Sequence, residues 1–215
     1  MEELQEINRQ TRLAYDLAAS KYHELFRNEL DGKPYDRWLL DHFAAHFAPA
    51  SIVHDLGCGP TGDIGCYLHR RGLHVIGSDI SPRSVGLAFA GHPDMEFMVM
   101  DMTNLALHDR SADGVVSYYS VIHTPKRFVP ALLQEMHRVL KSAGKLLLAV
   151  KEDNREGYLD EFLGFRTRIY FAHFRKDEIA RLLSDHGFAI LFLEVRAPLP
   201  GEIPVRRIFA IAEKN

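Results

Sequence analysis

The chain is poor in several things that would have named its class at once. Only two of its 215 residues are cysteine, Cys58 and Cys66. Two thiols eight residues apart do not make a disulfide framework, and with no secretory signal they read as reduced cysteines in a reducing compartment. The opening Met1-Glu2-Glu3-Leu4 is acidic and lacks an apolar signal core, and no apolar run approaches the ~18 residues of a membrane helix. The expectation is a cytoplasmic protein without a membrane partner. Excess positive charge is also missing. Lys and Arg number 26 against 29 Asp and Glu, a net charge of -3, which gives no global field for DNA, RNA or anionic lipid. No repeat or low-complexity tract is present. Hydrophobic residues at 47% and charged residues at 26% suit one globular domain with a full core.

What is present is an alternation. Ile52 to Leu56 is a short apolar run followed by a helical stretch from Ile64 to Arg71. Val75 to Ile80 precedes Arg83 to Gly91, and Glu96 to Met100 follows. Gly114 to Tyr119 precedes a helix over Arg127 to Leu140, with Gly144 as its stop signal, and Lys145 to Val150 closes the series. Strands and helices in turn predict βαβ units and a parallel sheet. Ser81-Pro82 reads as an N-cap with proline at the first helical position. Before this series the first fifty residues read as helical, with Leu39, Leu40, Phe43 and Phe47 on one face and His42 and His46 on another. After it come a helix over Glu178 to His186, a strand over Ala189 to Val195, a loop with Pro198, Pro200 and Pro204, and a strand over Val205 to Ala212. Their short link excludes a parallel crossover, so these two strands should pair antiparallel at the sheet's edge.

Three carboxylates end successive strands, where such sheets bind ligands. Asp55 precedes the glycine loop Gly57-Cys58-Gly59-Pro60-Thr61-Gly62, whose glycines permit sharp turns and close ligand approach. Asp79 closes the second strand, at the point where a carboxylate accepts both ribose hydroxyls of a nucleotide. Asp101-Met102 follows the third. Gly57, Gly59 and Gly62 also fit the dinucleotide fingerprint, so a nicotinamide oxidoreductase is one alternative, and a non-catalytic nucleotide-binding regulator is another. None of the eight tyrosines begins the Tyr-x-x-x-Lys of a short-chain reductase. Walker, His-Glu-x-x-His and Gly-x-Ser-x-Gly motifs are absent. So is the Pro-Pro-Tyr of DNA amino-methyltransferases.

From Asp55-Leu56-Gly57-Cys58-Gly59 the sequence resembles class I S-adenosylmethionine-dependent methyltransferases, particularly small bacterial-type enzymes acting on small molecules. The likeness extends over Tyr15 to Tyr22, Gly77 to Ser81, Asp101-Met102, Ser117 to His123, Arg138 to Gly144 and Arg206 to Ala212. One departure is Thr61, where the family carries its third glycine; Gly62 comes one residue late. The resemblance implies a Rossmann-like three-layer sandwich whose seven-stranded, mostly parallel sheet has an antiparallel C-terminal edge strand. It implies an N-terminal helical cap over residues 1–48 and the methyltransferase domain over 49–215. It places Asp55, Gly57, Cys58 and Gly59 at the methionine moiety of S-adenosylmethionine, Asp79 at the ribose, Ile80 on the adenine, and Asp101 and the Met102 N–H at the adenine edge. Ser117 and Tyr118 line the sulfonium side, and Tyr15 and Tyr22 close over the cofactor.

Methyl transfer from a sulfonium is an in-line displacement that requires alignment and exclusion of water. His123 is the candidate base for a protonated nucleophile. The acceptor is expected to be a small molecule rather than nucleic acid, with no metal. His42 and His46 have i, i+4 spacing but no carboxylate or cysteine beside them. Tyr158, Phe162, Phe165, Tyr170, Phe171 and Phe174, interleaved with Arg166, Arg168 and Arg175, read either as a lid over the acceptor or as a helix packing its aromatics on the core with the arginines in water. Glu202 is a possible substrate contact in the proline-rich loop.

Overall fold

The computed structural model describes residues 2–215. A long helix, α1 (Glu2–Phe26), a short 3-10 turn (Glu29–Gly32) and α2 (Pro34–Ala44) precede the sheet. Then come β1 (Ile52–Leu56), α3 (Asp63–His69), β2 (His74–Asp79), α4 (Pro82–Gly91), β3 (Glu96–Val99) and β4 (Ala112–Tyr118). Helix α5 (Val129–Val139) leads into β5 (Leu140–Glu152). The chain continues through β6 (Glu156–Phe162), β7 (Phe165–Ala172), α6 (Lys176–Asp185), β8 (Phe188–Arg196) and β9 (Arg206–Lys214).

The main sheet has the order β3-β2-β1-β4-β5-β9-β8. Strands β1 to β5 are parallel, and β9 runs antiparallel to both β5 and β8. The antiparallel hairpin therefore forms at the edge as expected, but the C-terminal strand is not the outermost one. It slots between β5 and β8, and β8 takes the edge. Side chains alternate between two faces. Leu146, Leu148 and Val150 pack with Leu132, Leu133, Met136, Ile179 and Leu183 of α5 and α6. Leu147, Ala149, Phe209 and Ile211 pack with Leu39, Leu40, Phe43 and Leu68 of α2 and α3. Two apolar faces covered by helices give the three layers of a doubly wound α/β fold. Ser81 caps α4 as its position predicts, its Oγ accepting from the Ser84 N–H at 3.0 Å.

Two expectations are corrected. Gly144 does not stop α5. That helix ends at Val139, Leu140 is already extended, and β5 continues through a left-handed Ala143 (φ 59°). A shift in the β4–β5 register absorbs the irregularity. The aromatic-rich stretch is not a helix. It forms a two-stranded antiparallel hairpin, β6–β7, outside the main sheet. Period-two alternation appears over the first part of β7: Arg166 and Arg168 point to water, whereas Phe165 and Thr167 are half-buried and Ile169 is buried.

Helix α1 crosses the carboxyl ends of the parallel strands. Asn8 Nδ2 donates to Asp101 Oδ2 beyond β3 at 2.8 Å. Tyr15 Oη lies 2.9 Å from His123 Nε2 beyond β4. Ser81 Oγ beyond β2 donates to Asp16 Oδ1 at 2.6 Å. His23 Nδ1 meets the Pro60 carbonyl beyond β1 at 2.9 Å. One helix is thus tied to the loops after four adjacent strands.

Candidate active site

A cavity opens at these strand ends, beneath α1. Tyr15, Tyr22, Asp55, Gly57, Cys58, Gly59, Asp79, Ile80, Asp101, Met102, Tyr118 and His123 all line it. Ser117 does not. It is fully buried behind the wall, its Oγ 2.6 Å from that of Ser120, which faces the cavity in its place.

The loop after β1 owes its path to its glycines. Gly57 has φ 79°, and a Cβ there would sit 2.3 Å from Cβ of Ser120, so the loops after β1 and β4 meet without a side chain between them. Gly62, the glycine one place late, is left-handed (φ 60°) and serves as the N-cap of α3. Thr61 precedes it and bonds Asp63 Oδ1 at 2.6 Å.

Asp55 and Asp79 are buried carboxyl groups with no ion-pair partner among the described residues. Asp55 Oδ2 accepts only from the Gly65 N–H, at 3.1 Å. Burial, with nearby Asp63 adding, raises its pKa to about 7. Asp79 accepts from the N–H groups of Gly59 (3.0 Å) and Ser81 (2.9 Å). These bonds favour its charge, but burial dominates and raises its pKa to about 6. Two buried carboxyl groups without counter-ions among the described residues fit a cationic ligand, which favours their ionised forms. Thr11, whose Oγ1 is buried and without a partner among the described residues, also lines the cavity.

Asp101 is more occupied than expected. Its Oδ1 accepts from the N–H and hydroxyl of Thr103 (2.8 and 2.7 Å), capping that turn, and its Oδ2 takes Asn8. His123 is held from both sides. Its Nδ1 faces the Tyr170 carbonyl of β7 at 2.8 Å, which makes Nδ1 the N–H donor. In the neutral ring Nε2 then accepts from the Tyr15 hydroxyl. Burial lowers its pKa to about 4, so the ring is neutral at physiological pH. Phe162 of the hairpin packs 5.0 Å from the Tyr15 ring, and Tyr22 lies 6.0 Å from it on the same helix face.

On the far wall the sequence points to Tyr118 and Glu202 but not to Asp36, Tyr119 or Arg196. Asp36 of α2 accepts from the Tyr118 hydroxyl at 2.6 Å and pairs with Arg196 at 3.1 Å. Glu202 joins Arg196, Arg207 and Lys33 at 2.9, 3.2 and 3.0 Å. Its carboxylate is thereby committed to holding the proline-rich loop over the sheet. Tyr119 adopts a left-handed backbone (φ 56°), a strain of ~1–2 kcal/mol for a non-glycine, and its hydroxyl is buried without a partner. His42 stacks on Trp38, and His46 meets it edge-on. No metal-holding group of side chains occurs among the described residues, and no helix among them is long and apolar enough to cross a membrane.

Comparison with known proteins agrees with this geometry. Residues 54–148 match a family model described as a methyltransferase domain. Over 154 residues the chain is 30% identical to a probable tRNA methyltransferase 9B of Mus musculus, an alignment covering 66% of this chain and 32% of that protein. The chain therefore spans about a third of the length of that relative. A solved S-adenosylmethionine-dependent methyltransferase from Methanosarcina mazei superposes with a TM-score of 0.71 at 21% identity, covering 79% of this chain and 95% of that one. The 1,6-didemethyltoxoflavin-N1-methyltransferase of Burkholderia thailandensis, solved with S-adenosylhomocysteine, superposes with a TM-score of 0.70 at 19% identity, covering 94% and 88%. Residues 54–148 thus carry a methyltransferase domain, and the fold is that of the S-adenosylmethionine-dependent methyltransferases, whose cofactor is S-adenosylmethionine.

Proposed function

We propose that this chain transfers a methyl group from S-adenosylmethionine to a small-molecule acceptor. The observation that carries the reading is the pair of buried carboxyl groups Asp55 and Asp79, without ion-pair partners among the described residues, on either side of the glycine loop and roofed by α1. When bound, S-adenosylmethionine supplies a methyl already activated by positive sulfur. Asp79 is placed to accept from the two ribose hydroxyls while keeping its backbone bonds. Asp55 and the Gly57 to Gly59 backbone face the cationic methionine end. Ile80 offers an apolar surface for the base, with Asp101 and the Met102 N–H at its edge. Relatives are named for tRNA, sterol, phosphoethanolamine and Mg-protoporphyrin acceptors. A cavity enclosed by one helix and a net charge of -3 favour a small acceptor over a polynucleotide.

His123 acts here through Tyr15. With Nδ1–H fixed on the Tyr170 carbonyl and Nε2 accepting from the phenol, the histidine sets the position of the Tyr15 oxygen at the cavity wall. Displacement needs alignment more than proton transfer. The test is calorimetry with S-adenosylhomocysteine. Wild type should bind it, and Asp79→Ala should bind at least tenfold more weakly, about 1.4 kcal/mol, because two hydrogen bonds to a carboxylate are lost. NADH should give no binding heat. Unchanged affinity in Asp79→Ala, or NADH binding in place of S-adenosylhomocysteine, would overturn the reading.

A further inference from the structure

The β5–β9 ladder matches charges at two of its rungs. Lys145 faces Glu213, with Nζ 2.6 Å from the carboxylate, and Glu152 faces Arg206 at 2.9 Å. Between them, Lys151 faces Arg207. Two cations directly opposite in an antiparallel pair destabilise the sheet, so this rung breaks the rule its neighbours keep.

The surrounding partners do not repair the mismatch. Arg207 reaches Glu202 at 3.2 Å and the carbonyls of Ile203 and Val205. Lys33 is taken by Glu29 (2.7 Å) and Glu202, and Arg196 by Asp36 and Glu202. Four cations thus stand against three carboxylates. Lys151 is left over: it is partly buried, and its ammonium has no hydrogen-bond or ion-pair partner among the described residues. Burial, then nearby Arg207, pushes its ammonium below its ordinary pKa. An unpaired, partly buried cation is stabilised when an anion joins it.

Its location gives the anion a source. Lys151 lies at the carboxyl end of β5, on the face that also carries Arg207. It is close enough to His123 for its charge to help depress the imidazole. Tyr119, whose N–H donates to the Ala149 carbonyl at 2.9 Å, brings its partnerless hydroxyl into the same region, near Arg207 and Arg196. Tyr119 and Lys33 both line the cavity. We propose that Lys151, with Lys33 and the Tyr119 hydroxyl, forms an anion subsite at the β5–β9 end of the cavity that holds a carboxylate or phosphate group of the methyl acceptor. This deepens the methyltransferase reading and rests on it. The methionine carboxylate of the cofactor is the other anion of that chemistry, and the experiment separates the two.

Inorganic phosphate is titrated into the full chain saturated with S-adenosylhomocysteine, with binding followed by calorimetry and by the thermal midpoint. Wild type should bind phosphate and gain stability from it. Lys151→Met should lose at least tenfold in phosphate affinity while binding S-adenosylhomocysteine as wild type does, and Lys151→Arg should retain phosphate. Removing the like-charge rung should also raise the thermal midpoint of Lys151→Met without ligand. The inference is overturned if phosphate fails to bind, if it binds the Met variant equally well, or if that variant is less stable than wild type. It is also overturned if Lys151→Met weakens S-adenosylhomocysteine tenfold and phosphate competes with it, since the charge would then belong to the cofactor's carboxylate. Failure of wild type to bind S-adenosylhomocysteine would instead sink the methyltransferase reading.

Discussion

Tyr15 and His123 are 108 positions apart in sequence, yet they share one hydrogen bond at the cavity wall. Their roles can be separated from general-base catalysis by experiment. If His123 only positions Tyr15, Tyr15→Phe and His123→Ala should lower turnover to similar extents. Their double variant should be little worse than either single, with a coupling energy of 0.5–3 kcal/mol, roughly that of contacting residues. At saturating S-adenosylmethionine, kcat should stay flat from pH 6 to 8, since the imidazole is held near 4. A limb titrating near 6.5 that vanishes in His123→Ala would restore the base. Much at this scale was legible in the sequence. Asp55, Asp79 and the glycines sit at strand ends that local texture reveals. The contacts of Asp101 with Asn8, of His123 with Tyr15 and Tyr170, and of Glu202 with Lys33 were not legible, because each joins residues dozens of positions apart. Nor was the Lys151–Arg207 rung, which exists only once the strand register is set.

At the scale of elements, α1 is the part whose importance exceeds its sequence signal. It reads as an ordinary amphipathic helix burying Ile7, Ala14, Ala18 and Ala19, yet its polar residues reach the loops after four strands. Deleting residues up to Lys21 removes Asn8, Tyr15 and Asp16 together. The sheet should remain folded, because its two faces are filled by α2, α3, α5 and α6, as circular dichroism would check. Turnover should fall by a hundredfold or more, since water exclusion and alignment are lost together. A truncated chain with full turnover would make α1 packing alone. The β6–β7 hairpin shows how a sequence reading of this kind goes astray. Six aromatics with arginines between them satisfy a helical face and a pleated one alike. The alternation of Arg166 and Arg168 with residues turned inward was the period-two signal that decides for strands.

For the molecule as a whole, the buried carboxylates link proton binding to both stability and cofactor affinity. Asp55 and Asp79 have native pKa values above those of an unfolded chain. The folded protein therefore holds these protons more tightly than the unfolded one. Their contribution to stability is complete below the unfolded carboxylate range near ~3.9 and is lost as pH rises through about 6 to 7. For these two groups, the thermal midpoint of the ligand-free protein should fall between pH 5 and pH 8. A cationic ligand favours the ionised forms, so S-adenosylmethionine should bind more tightly over the same interval and release protons as it binds. Calorimetry in buffers of different ionisation heat measures that release. Equal affinity at pH 5.5 and pH 7.5, with no protons released, would show that neither carboxylate faces the cofactor's charge.

The place of β9 between β5 and β8 bears on how the chain is made. Strand β8 emerges from the ribosome before the strand that joins it to the rest of the sheet. Until β9 follows, β8 has no ladder to join, and β5 presents an open edge lined with Leu146, Leu148 and Val150. The nascent chain must carry that apolar edge through the interval, so the hazard of premature pairing with another chain is concentrated in the time taken to synthesise the proline-rich loop and the nine residues of β9.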